Sequence, residues 1–162
     1  MRTKEWTLDE AREPSAAVPR QGDQMARVHE AQSLTGSVDE VWAVIGGFNA
    51  LPEWHPAVES STLEEGGRIR RLLLEGGASL VERLHTFNET ERSYGYSIEQ
   101  GPLPVAHYRS QVKVTGQPGE RRCSVEWSGE FSAAGVPEPE AISIIRGIYR
   151  AGLDRLGERF GA

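Results

Sequence analysis

Two stretches of the chain alternate polar and apolar residues with a period of two. Tyr108, Ser110, Val112 and Val114 alternate with Arg109, Gln111, Lys113 and Thr115. Val125, Trp127, Gly129 and Phe131 alternate with Ser124, Glu126, Ser128 and Glu130. Successive side chains of a strand point to opposite faces, so each stretch predicts a strand with one wet and one covered face. The same reading predicts strands over Met25–Thr35, Val58–Leu63, Arg68–Leu74, Ser79–Asn88, Ser93–Gln100, Val105–Thr115 and Arg122–Ser132. Glycine-bearing linkers at 64–67, 75–78 and 117–120 are short enough for hairpins, which makes the sheet antiparallel.

Helical periodicity appears in two places. Ser37-Val38-Asp39-Glu40 has the form of a capping box, and Val38, Val41, Trp42 and Ile45 follow at helical spacing until Gly46-Gly47. Asn49–Pro56, with two prolines and a Trp, suits a second short helix or a corner. The last element opens at Pro137–Pro139 and carries Ala141, Ile145, Ile148, Tyr149, Gly152, Leu153 and Leu156 on one stripe. Arg146, Arg150, Asp154 and Glu158 form the opposite ridge. At 1.5 Å per residue this helix is roughly 30 Å long and can cross a whole sheet. The order is strand, two short helices, six strands, long helix: an α+β class with a curved seven-stranded antiparallel sheet around the last helix. A curved sheet that its helix does not fill leaves a cavity, a common place for a ligand.

Composition narrows this picture. A length of 162 residues, 38% hydrophobic and 26% charged, fits one globular domain. Residues 1–24 lack periodicity and are expected to be an N-terminal extension, with Trp6 and Leu8 available to dock; 25–162 is the domain. No apolar run reaches bilayer length and the first residues lack a signal-peptide core, so no membrane insertion and a cytoplasmic location are expected. A net charge of −6 argues against nucleic acid, and the basic residues Arg68, Arg70 and Arg71 alternate between faces. Cys123 is the sole cysteine, which excludes an internal disulfide and a thiolate zinc cluster. The four histidines lack metal-ligand spacing, and no cofactor or metal is expected. A monomer or weak homodimer is expected.

Parity identifies the interior polar groups. Arg70 shares a face with Leu72 and Leu74, Glu82 with Leu80 and Leu84, and Tyr96 with Tyr94 and Ile98. An unpaired buried charge is costly, so Arg70 and Glu82 are expected to meet each other or a ligand. A three-residue turn at Gly76–Ala78 pairs Leu72 with Glu82; a two-residue turn puts Arg71 there instead. Arg70 and Glu82 are the catalytic candidates, with Arg70 holding a head group or oxyanion and Glu82 accepting a proton if burial raises it. The competing reading is a structural salt bridge between two strands. Trp54 and His55 at the mouth, Leu72, Tyr96, Tyr108 and Trp127 on the sheet, and Ile145 and Tyr149 on the helix are the ligand-binding candidates. The expected guest is amphipathic, with a polar or acidic end toward the sheet.

Several short motifs occur in a telling order: Val41-Trp42, Trp54-His55-Pro56, Gly67-x-x-Arg70, Glu82-Arg83-Leu84, Tyr94-x-Tyr96-x-Ile98, Pro102-Leu103-Pro104, Tyr108-Arg109-Ser110 and Val125-x-Trp127. From about Met25 to Phe160 the chain resembles the START-like (SRPBCC) superfamily, in the branch of polyketide cyclase/dehydrase and lipid-transport proteins. The resemblance implies a helix-grip fold with an internal pocket. In lachrymatory-factor-synthase-like enzymes the Arg and Glu at the positions of Arg70 and Glu82 are used in the pocket. In abscisic-acid-receptor-like proteins the positions of Glu82 and Tyr108 hold ligand through polar contacts. The receptor gate and latch would fall at Glu75–Ser79 and Leu103-Pro104-Val105, which depart from the receptor pattern, so a hormone receptor is not expected. Three functions follow as expectations: a binder or carrier of a small hydrophobic or amphipathic molecule (lipid-like, polyketide-like or aromatic), a cofactor-independent cyclase, dehydratase or isomerase, or a partner-binding module with a filled interior.

Overall fold

The computed structural model describes residues 25–162; the expected N-terminal extension, with Trp6 and Leu8, lies outside the described residues. Strand β1 (Ala26–Thr35) leads into helix α1 (Val38–Ile45) and the single turn α2 (Leu51–Trp54). The capping box forms: Ser37 Oγ accepts from the Glu40 amide at 3.1 Å, and Glu40 Oε1 accepts from the Ser37 amide at 2.9 Å. Strands β2 (Val58–Glu64), β3 (Ile69–Leu74), β4 (Ser79–Asn88), β5 (Ser93–Gln100), β6 (Val105–Gly116) and β7 (Arg122–Ala133) follow. Helix α3 (Glu138–Phe160) closes the chain.

The seven strands form one antiparallel sheet in the order β1-β7-β6-β5-β4-β3-β2. Register shifts at Val58/Ser60, Val81/Glu82, Leu84/Thr86 and Ala106/Arg109 mark bulges, and His107 in the last of them has a φ of 57°. Bulges bend strands, which lets the sheet curl. Helix α3 lies against the inner face of β1 and β7, and buries Ala141, Ile145, Tyr149, Gly152, Leu153 and Leu156. Its charged ridge ties down the edge strand. Arg146 Nε donates to Glu30 at 2.9 Å, and Arg150 donates to the Ala31 carbonyl at 3.0 Å and Gln32 Oε1 at 2.8 Å. No helix of the described residues is long and apolar enough to cross a membrane.

The β3–β4 hairpin corrects both expected registers. Arg70 stands directly opposite Glu82, with Leu72 opposite Leu80. The chain reverses through Glu75-Gly76-Gly77, closed by the Leu74 amide donating to the Ala78 carbonyl at 2.8 Å. Gly76 and Gly77 have φ of 94° and 99°, a region open to glycine at little cost. With two adjacent glycines, several turns fit locally, and the interior pairing of Arg70 with Glu82 selects among them.

Candidate ligand site

A cavity of about 90 Å³ lies between the sheet, α2 and α3. Its walls are mostly apolar: Leu51, Ala57, Val58, Leu72, Leu74, Leu80, Ile98, Leu103 and Ile148. Glu82, Tyr96, Tyr108, Trp127 and His55 bring the polar atoms. A wider groove of about 530 Å³ crosses the outer face of the sheet, lined among others by Arg27, His85, Arg109, Gln111 and Glu130. That groove is open and its charges pair in water, as in the Arg27–Glu130 bridge at 3.1 Å. Polar groups act most strongly where water is excluded, which favours the interior cavity as the site.

Arg70 and Glu82 are both buried, at 1% and 4% exposure. Arg70 Nε and Nη2 each lie 2.7 Å from the same carboxylate oxygen, Glu82 Oε1. Arg70 Nη1 donates to the Phe48 carbonyl at 2.8 Å and reaches Tyr94 Oη at 3.5 Å. The rings of Phe48 and Tyr96 lie 4.2 and 4.9 Å from the guanidinium carbon. All three guanidinium nitrogens are therefore occupied by the protein, and Arg70 sits behind Glu82, off the cavity wall. Glu82 Oε2, by contrast, receives no protein donor among the described residues. Burial raises the Glu82 carboxyl, and Arg70 pulls it back. A neutral Glu82 would leave a buried guanidinium unpaired, so the pair is ionised at neutral pH.

Behind the cavity runs a hydroxyl chain whose proton directions are fixed by its ends. Burial raises the phenols of Tyr96, Tyr108 and Tyr149, so all three keep their protons. Ser110 Oγ must donate to the Ser128 carbonyl, 2.8 Å away, because a carbonyl only accepts. Tyr149 then donates to Ser110 Oγ at 3.1 Å, and Tyr108 to Tyr149 at 2.5 Å. Tyr96 is left with its proton toward Tyr108 at 3.5 Å, too long for a good bond. The Trp127 indole N–H, a donor only, is shared between Tyr96 Oη and Ser110 Oγ at 3.1 Å each. Among the described residues, Tyr96 is thus the one hydroxyl of this hydrogen-bonded series whose proton has no close acceptor.

His55 closes the other side. Its Nδ1 accepts from the Ala57 amide at 3.1 Å, so its Nε2 carries the proton and donates to the Ile148 carbonyl at 2.8 Å. Both nitrogens are spent on holding the segment after α2 against α3. Burial lowers the His55 pKa, and Arg155 and Arg70 add to that, against the Ile148 carbonyl.

Of the residues named from sequence, His55, Leu72, Glu82, Tyr96, Tyr108 and Trp127 lie on the cavity wall. Trp54 and Ile145 are fully buried in the core instead, and Tyr149 reaches the wall only through its bond to Tyr108. Trp54 packs its ring against Trp127, centroids 5.2 Å apart, and its Nε1–H is buried without a partner among the described residues. On α3 the wall residue is Ile148, one turn from Ile145 on the same stripe. Leu80 and Ile98 share the parity of Glu82 and Tyr96 and were legible on that ground. Leu51 opens the single turn α2, too short to show a period, and Ala57 and Leu103 come from irregular segments, where no period reports direction.

Comparison with known proteins agrees with this architecture. Residues 25–161 match the family described as polyketide cyclase / dehydrase and lipid transport. The protein XoxI from Bacillus cereus is 43% identical, with a TM-score of 0.81 over 83% of this chain and 95% of that one. A START superfamily protein from Mycobacterium smegmatis and the Zhui aromatase/cyclase from Streptomyces sp. R1128 are 14% and 18% identical, each with a TM-score of 0.68 over 83% of this chain. They cover 96% and 93% of their own chains and share the helix-grip fold. No curated protein matches the sequence. With its family matched along the whole described domain, the chain belongs to the polyketide cyclase / dehydrase and lipid transport family.

Proposed function

We propose that this protein binds a small, largely apolar molecule in the interior cavity, in the manner of a carrier or binding protein. The observation that supports the reading is the cavity itself: aliphatic walls with Glu82 and Tyr96 set among them. A core built only for stability gains nothing from a carboxylate with an oxygen that the described residues leave without a donor. At about 90 Å³ the cavity suits a ligand near the size of a single ring. Pockets for larger molecules run to roughly 300–1,000 Å³. A long lipid or polyketide chain would need α2 and the 101–104 loop to move outward.

A second reading, a cofactor-independent cyclase, dehydratase or isomerase, has one observation in its favour. Glu82 is a carboxylate raised by burial, with Oε2 not engaged by Arg70, as a general base must be. Native mass spectrometry of the purified protein, followed by extraction of what co-purifies, tests the first reading. A stoichiometric small molecule supports it; a protein that takes up no apolar molecule under any loading condition overturns it. Glu82→Gln then separates the two. A carrier keeps most of its affinity, whereas an enzyme keeps binding and loses turnover.

A further inference from the structure

The geometry points to a cavity selective for a neutral hydroxyl on a compact apolar body, a small phenol or alcohol, and set against a carboxylate on the same body. This rests on the ligand-binding reading above and specifies the polar end of the guest, which the sequence alone left as polar or acidic.

The selectivity follows from proton accounting. Among the described residues, Glu82 Oε2 is an acceptor with no protein donor. Tyr96 Oη already accepts from Trp127 and has a proton with only a 3.5 Å partner. Both residues line the same cavity, on neighbouring strands, with Glu82 opposite Ile98 and Leu84 opposite Tyr96. The wall therefore offers one free acceptor and one free donor. A hydroxyl is the smallest group that answers both, donating its proton to Glu82 and accepting from Tyr96. A ketone or ether answers Tyr96 alone, and a hydrocarbon answers neither.

A carboxylate fails for a different reason. The cation beside Glu82 is already engaged: Arg70 directs Nε and Nη2 at Glu82 Oε1 and Nη1 at the Phe48 carbonyl. The side chain is 1% exposed and absent from the cavity wall. An anionic guest would meet the second carboxylate oxygen of Glu82 in a medium of low dielectric, where repulsion is weakly screened. His55 brings no countercharge, since its Nδ1 is an acceptor and its proton is held by Ile148.

Three probes of one body test this at neutral pH: benzene, phenol and benzoate, titrated into the ¹⁵N-labelled full chain. The indole resonance of Trp127 is the reporter, because its N–H donates to Tyr96 Oη. Phenol is expected to bind about tenfold tighter than benzene, the scale of one good buried hydrogen bond, and benzoate not to bind. Tyr96→Phe should reduce the phenol advantage by about threefold or more and leave benzene unchanged. Glu82→Gln, if it folds, should admit benzoate, since the repelling carboxylate is gone and Arg70 is left without its anion. If benzene binds and phenol shows no advantage, or benzoate binds as well as phenol, the selectivity is overturned while the cavity reading stands. If Tyr96→Phe leaves the phenol-to-benzene ratio unchanged, the assigned donor is wrong and the inference falls. If none of the three probes binds, both the inference and the ligand-binding reading fall.

Discussion

The hydroxyl of Tyr149 occupies the space that a β-carbon on Gly129 would need. Gly129 stands on the covered face of β7, between Trp127 and Phe131, and a Cβ built there overlaps Tyr149 Oη. The missing side chain is what lets α3 lower a phenol into the hydroxyl chain of Tyr108 and Ser110. Glycine weakens a strand interior, and it is kept where something must approach closely.

Gly129→Ala is therefore expected to destabilise the fold by about 1–3 kcal/mol, as overpacking of a tight core does. Adding Tyr149→Phe removes the clashing oxygen, so the double variant should lose less than the sum of the two single changes. Urea denaturation of all four proteins measures the coupling. Strict additivity would show that the overlap is relieved elsewhere.

Two glycines on α3 should respond in opposite directions to alanine. A Cβ on Gly147 meets nothing within 4 Å, so Gly147→Ala should stabilise by about 0.5–1 kcal/mol through helix propensity. A Cβ on Gly152 lies 3.0 Å from ring atoms of His55, Trp127 and Trp54. Three packed rings cannot give way together, so Gly152→Ala should be destabilising despite the same gain in propensity. Thermal melting of the two variants decides.

The Arg70–Glu82 pair predicts a large asymmetry between single and double changes. Glu82→Leu alone leaves a buried guanidinium without its anion and is expected to cost about 3–5 kcal/mol. Arg70→Met with Glu82→Leu removes both charges and should recover most of that loss. The readout is the denaturation midpoint, and equal losses in single and double variants would deny that the pair is coupled.

His55 predicts a stability change in mild acid. Burial lowers its folded pKa, so the unfolded chain binds the proton more readily than the folded one. The contribution is complete above the unfolded value, about 6.5, and is lost as pH falls below it toward the folded value. Protonation of Nδ1 also breaks its acceptance from the Ala57 amide. Denaturation measured from pH 7.5 down to 5 should show stability falling, and His55→Gln should flatten that slope. An unchanged slope in the variant would assign it to other groups.

Local pattern carried most of the fold. Period two in 108–115 and 124–131 gave two strands their buried faces, and Ala141 through Leu156 gave α3 its inner stripe, because burial on one face writes the period directly into the sequence. The capping box at Ser37 was equally legible, since both partners lie within four residues. Parity with apolar neighbours on each strand placed Glu82, Tyr96, Tyr108 and Trp127 inside, and the cavity wall includes all four. Only the tertiary structure decided the rest. The turn at Gly76-Gly77 admits several registers, and the interior selects the one that sets Arg70 against Glu82. Whether Arg70 faces a ligand depends on the Phe48 carbonyl, 22 residues away, which takes its third nitrogen. The free proton of Tyr96 depends on a chain that runs through Tyr149 on α3 to the Ser128 carbonyl on β7. Sequence period reports which face a side chain takes. Which partner it spends its hydrogens on is settled by groups that meet only when sheet and helix close on each other.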